Sequence, residues 1–155
     1  MSTPIIETIA VKLAGLINAI TVAAGFNQTL TAVRPKRIHL EDSELKNGNV
    51  IIFQEDPTLL QETDEVVSWS QPFKLQAIVI DSDDATTAID TRLNQVRSDI
   101  EKKLMENSNW KLDGIAEGIL LRAPELRIAE PEDSVVVVNI DVIYTVLTAD
   151  PYSQS

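Results

Sequence analysis

The residues best suited to chemistry lie at 78–85, "IVIDSDDA", where an apolar run meets Asp81, Ser82, Asp83 and Asp84. An aspartate directly after an apolar strand, with a second acid two residues on, suits phosphoryl transfer. Asp81 would attack phosphorus, Asp83 would donate or accept a proton, and magnesium would offset the oxygen charges. The same atoms also have a structural use. A side-chain oxygen of Asp83 or Asp84 can accept an amide proton from the first turn of a following helix, and the other carboxylate then sits favourably against the helix dipole. A calcium loop fits less well, because the regular series of later oxygen ligands and the central glycine are absent.

The Asp-x-Asp spacing resembles the opening motif of the haloacid dehalogenase-like phosphatases. In that family the motif follows the first strand of a parallel sheet, whereas here it lies midway along the chain, before a second half that reads as an antiparallel hairpin. Capping is therefore the better reading, and no residue is assigned a catalytic role. His39, beside Glu41, Asp42 and Glu44, is a single imidazole among surface acids, short of the ligand set of a zinc centre. Gly114 and Gly118 do not form a phosphate-cradling loop, and no serine lies in a nucleophile-elbow pattern. The expectation is a non-enzyme without metal or cofactor.

The balance of 24 acidic against 13 basic residues gives a formal net charge of -11, which opposes nonspecific DNA binding. The basic cluster is Arg34, Lys36 and Arg37 in "VRPKRIHL". With 155 residues and 44% hydrophobic content, one domain can bury its own core. There is no cysteine, hence no disulfide or thiol nucleophile, which fits a reducing compartment. Glu7 and Lys12 interrupt the apolar opening segment, so neither a membrane span nor a secretory signal is expected.

The elements that must position these residues follow from periodicity. Thr3-Pro4 opens a helix running to about residue 22, with Ile6, Ile9, Leu13, Ile17 and Ile20 as its stripe and Gly25 as its stop. Residues 27–34 read as a short strand ending before Pro35, and 50–54 as another, introduced by an Asn47-Gly48 turn. Residues 35–49 and 56–70 are expected as two long projecting loops. The alternation over 73–80 marks a strand whose second half is covered on both faces. In the next helix, Ile89, Leu93, Val96, Ile100 and Leu104 form an apolar stripe, and Asp99 can face Lys103. Residues 115–130 and 134–147 read as two long strands, with Pro124 marking an edge or bulge in the first. Along the second, Val136, Val138, Ile140, Val142, Tyr144 and Val146 share a face. The expected fold is a single α+β domain over 1–150, an antiparallel or mixed sheet packed on two helices, with 151–155 a flexible tail. Trp69 and Phe73, flanking Pro72, either cover the end of the core or anchor another subunit.

The stretches "ITVAAGFNQTLTAVRPKR" at 20–37 and "WSQPFKLQAIVIDSDDATTAIDTRLNQVRSDIEKKL" at 69–104 resemble the tail terminators and related tail-completion or neck proteins of tailed bacteriophages. The resemblance implies a compact α/β subunit of the virion that forms a ring, commonly hexameric, at the head-proximal end of the tail. Such a ring stops tail-tube polymerisation and meets the head connector, and DNA passes through it without specific binding. It implies assembly in the host cytoplasm, with the ring wall built from the long sheet and the two loops reaching neighbouring subunits, tube or connector. Arg34, Lys36 and Arg37 match the family's basic segment after the early strand, and salt bridges to an acidic neighbour are their implied role. A monomeric adaptor is the alternative structural reading, and a magnesium-dependent phosphatase using Asp81 and Asp83 the enzymatic one.

Overall fold

Two fifteen-residue strands, Val66–Ile80 (β4) and Asp133–Leu147 (β7), pair antiparallel along their whole length and form the spine of the protein. In this computed structural model the described residues are 3–36, 40–80, 87–128 and 133–154, with only the backbone of Asp42, Ile128 and Asp133. The helices are Ile5–Asn18 (α1) and Ile89–Met105 (α2). The remaining strands are Thr31–Val33 (β1), Asn49–Gln54 (β2), Thr58–Glu62 (β3), Gly118–Leu121 (β5) and Glu125–Ile128 (β6). The protein is a single α+β domain whose mixed sheet packs against two helices.

Two short strands flank each side of the spine. On one side β2 and then β3 pair antiparallel with β4, and β1 adds to β2 in parallel; on the other, β5 and β6 both pair antiparallel with β7. Period-two alternation places Phe73, Leu75, Ala77 and Val79 on the same face as Val136, Val138, Ile140, Val142, Tyr144 and Val146. That face meets Ile9, Leu13 and Ile17 of α1 and Leu93, Val96, Ile100 and Leu104 of α2 in one core. Both expected helical stripes are therefore buried, apart from the partly buried Ile6 and Ile89. On the opposite face Ile51, Ile78 and Val137 are buried too, as the apolar second half of the 73–80 strand implied.

Several local expectations change. Helix α1 ends at Asn18, not near 22, because Thr21 turns extended and its hydroxyl caps a 3-10 turn over Val22–Ala24, while Asn18 Oδ1 accepts the Ala32 amide at 2.8 Å. Pro4, not Thr3, is the N-cap residue of α1, with no side-chain cap bond. Gly25, at φ 95°, closes the 3-10 turn instead of α1. The strand expected at 27–34 shrinks to β1, since the Asn27 and Leu30 amides bond to Asp99 and Ile20 instead of a neighbouring strand. Helix α2 starts at Ile89 with Ala88 as N-cap and no side-chain cap, and Asp90 is the acid of its first turn. The helix thus begins beyond the carboxylates expected to cap it; Asp81, Asp83 and Asp84 themselves lie outside the described residues, as do Arg37 and His39.

The loop expected over 56–70 is a hairpin. Strand β3 turns at Asp64-Glu65 into β4, with Thr63 N donating to Val66 O at 2.8 Å and Thr63 Oγ1 accepting from the Glu65 and Val66 amides. Pro124 does fall where the strand after Gly118 breaks, and β5 and β6 lie on either side of it. The tail expected as flexible over 151–155 bonds back to the domain: Ile5 N donates to Pro151 O, and Gln154 Nε2 donates to Ile115 O and Thr145 O.

Candidate assembly surfaces

Each side of the spine is bordered by two strands with a break between them, and the two breaks are offset by about three residues along the spine. β2 leaves β4 opposite Phe73 and β3 joins it opposite Ser70, so Gln71 and Pro72 face a gap. The Gln71 side chain, 1% exposed, donates to Glu55 O and Pro72 O, and the Glu55 amide bonds Pro72 O, which satisfies the backbone at the switch. Across the spine, β5 leaves β7 opposite Ile140 and β6 joins it opposite Val137. There the Arg122 amide donates to Asn139 O and Asn139 Nδ2 to Ala123 O, both at 2.9 Å.

Between the two breaks, on the face away from the helices, runs a groove of about 520 Å³. Lys74 and Asn139, register partners, sit in it beside Pro72, with Glu55 and Asp56 on one side and Arg122 and Glu125 on the other. Arg122 also reaches Asp141 at 3.4 Å. The lining mixes an ammonium, a guanidinium and carboxylates, groups suited to polar and ionic contacts.

The β3 side of the sheet carries a long exposed segment. Every residue from Gln54 to Glu65 is exposed, and the adjacent Leu59 and Leu60 are 48% and 51% accessible. Leu59 pairs with Trp69, and the register slips between Leu59 and Gln61, giving the arm an irregularity of the β-bulge kind. Glu55, Asp56, Glu62, Asp64 and Glu65 lie along this segment, which carries no cation. On the opposite side Leu120, Leu121 and Leu126 are exposed, interleaved with Arg122 and Arg127.

Of the residues singled out for partner contacts, the structure separates two groups. Trp69 is half-buried on β4, beside Leu59 and Tyr144, and packs on the core edge. Phe73 is 1% exposed, which corrects its reading as a possible subunit anchor: its ring is core. Arg34 forms a two-pronged pair with Glu7 of α1, at 2.6 and 3.1 Å, and these bonds hold the Glu7 carboxyl below its ordinary range. The acidic neighbour implied for Arg34 is thus found within its own chain. Lys36 is exposed and borders a second hollow, of about 410 Å³, with Glu41 and Glu44.

Two features had no clear sign in the sequence. Asp99, expected to face Lys103, is 6% exposed and accepts from Asn27 N at 2.9 Å and Asn27 Nδ2 at 3.0 Å, while Lys103 pairs with Glu106. The turn after α2 holds Asn107, Ser108, Leu112 and Asp113 at positive φ, and Asp113 meets Lys12 of α1 at 2.8 Å over a hollow of about 260 Å³. Among the described residues no cluster of three or more metal-ligating side chains occurs, and no helix is long and apolar enough to cross a membrane. No family model matches the chain, and no curated protein does.

Proposed function

We propose that this chain is a structural virion subunit that assembles into a ring of six copies, by analogy with tail terminators, at the head-proximal end of a phage tail. It ends tail-tube growth and joins the tail to the head connector, acting by contact and without turnover. The observation that carries the reading is the β3 arm, a hydrogen-bonded strand exposed at every residue with two adjacent leucines on an open sheet edge. Open edges with apolar side chains are templates for association, and a chain that presents one invites a partner. The resemblance of residues 20–37 and 69–104 to tail-completion proteins supports the same reading.

The net charge of -11 per copy supports passage of DNA, since a ring of such subunits repels phosphates instead of retaining them. The ring belongs to the neck of the virion and is put together in the host cytoplasm. Negative-stain electron microscopy of the purified chain tests the proposal. Closed rings with a central passage are expected; isolated particles or open filaments at every concentration would refute ring formation and leave the adaptor reading.

A further inference from the structure

We infer that the ring contact is heterologous and edge to edge: the β3 edge of one copy pairs with the β5–β6 edge of the next. This rests on the ring reading above and names the surfaces that close it. Strand polarity is the first argument. β3 runs against β4, while β5 and β6 run against β7 and therefore along β4. Copies related by rotation about an axis along the strands keep those directions, so β3 meets β5 of the next copy antiparallel, the arrangement that a backbone ladder accepts without a crossover. β3 lies beside residues 67–70 of β4, which pair with 143–146 of β7, and β5 lies beside 140–143, so the two edges adjoin at the level of the Ser70–Ile143 pair.

Charge gives the second argument and selects the partner. Residues 55–65 carry five carboxylates and no cation, so two β3 edges repel each other. The opposite edge carries Arg122 and Arg127, 56% and 65% exposed, whose contacts within the chain, at 3.4 Å to Asp141 and 3.9 Å to Glu125, are long. Exposed leucines lie on both edges, Leu59 and Leu60 on one and Leu120 and Leu121 on the other. An acidic edge that rejects its own kind and accepts the basic edge makes a head-to-tail contact, and a head-to-tail contact that closes is a ring.

Two variants test this by light scattering coupled to size separation. An arm variant, Leu59→Glu with Leu60→Glu, and an edge variant, Arg122→Glu with Arg127→Glu, each lose one edge and keep the other. Each alone is expected to be monomeric where the wild type is a ring, and an equimolar mixture is expected to give a dimer and nothing larger. Glu62→Lys with Glu65→Lys keeps the leucines; alone it also breaks the ring, and combined in one chain with the edge variant it restores it. Circular dichroism of each variant should match the wild type. Wild-type rings in both single-edge variants, or no dimer on mixing, would overturn the edge pairing and leave the ring reading standing. A wild type monomeric at every concentration would overturn both.

Discussion

Replacing Asp99 by alanine should cost about 3 kcal/mol of folding stability. Asp99 sits on α2, 6% exposed, and its two oxygens accept from the backbone and side-chain amides of Asn27, which fastens the segment after the 3-10 turn to the second helix. A hydrogen bond to a charged group contributes roughly 1.5–3 kcal/mol, and a buried donor left unpaired costs about 1–3 kcal/mol. Asn27 is itself exposed, so water recovers part of its side-chain bond, which sets that bond near 1 kcal/mol and the backbone bond near 2 kcal/mol. Asn27→Ala, which keeps the backbone bond, should therefore cost about 1 kcal/mol, and Asp99→Asn an intermediate amount. Urea unfolding followed by the fluorescence of Trp69 and Trp110 gives all three values, and the double variant gives the coupling. An Asp99→Ala protein within about 0.5 kcal/mol of the wild type, with unchanged denaturant dependence, would refute the assignment of Asp99 as a buried latch.

Glycines at two positions should respond with opposite sign to alanine. At Gly48, φ is 84° and an added Cβ would lie 3.0 Å from Thr29 O, so Gly48→Ala should destabilise by about 1–3 kcal/mol; at Gly15, inside α1 with nothing within 4 Å, it should stabilise by about 0.5–1 kcal/mol, both read by thermal unfolding. The Arg34–Glu7 pair should give a small acid dependence. Because hydrogen bonding to Arg34 lowers the Glu7 pKa below its ordinary value, the pair's contribution is complete above the unfolded-state pKa and is lost as pH falls through the folded-state one. With side chains 44% and 39% exposed, it amounts to at most about 1 kcal/mol, and Arg34→Ala should flatten stability against pH in that window. Gln71→Ala should leave Glu55 O unpaired at the β2–β3 switch and speed hydrogen exchange in β3 more than in β2.

Much of the fold was legible because its strongest patterns are long. The stripe from Leu93 to Leu104 and the alternation from Val136 to Val146 each span several turns or pleats, and burial on one side is the condition that produces them. Pro124 announced its break because proline cannot donate to a ladder. The β3 arm was missed for the matching reason: all five of its residues are exposed, so no buried face imposed alternation, and its turn is made by the Thr63 hydroxyl with Asp64-Glu65 instead of a glycine pair. Asp99 was assigned to Lys103 by helical spacing, which sees neighbours on one helix and not Asn27, 72 positions away. Phe73 illustrates the limit for site residues. An aromatic beside proline reads the same whether it fills a core or an interface, and its 1% exposure on the helix-covered face places it in the core.

The most direct test of the account is the molar mass of the purified chain by light scattering over a concentration series. A discrete species near six subunits, each of 17.1 kDa, is the predicted result, formed reversibly and lost when Leu59 and Leu60 are replaced by glutamate. A mass that stays at one subunit throughout, or that grows without limit as concentration rises, would contradict a closed ring.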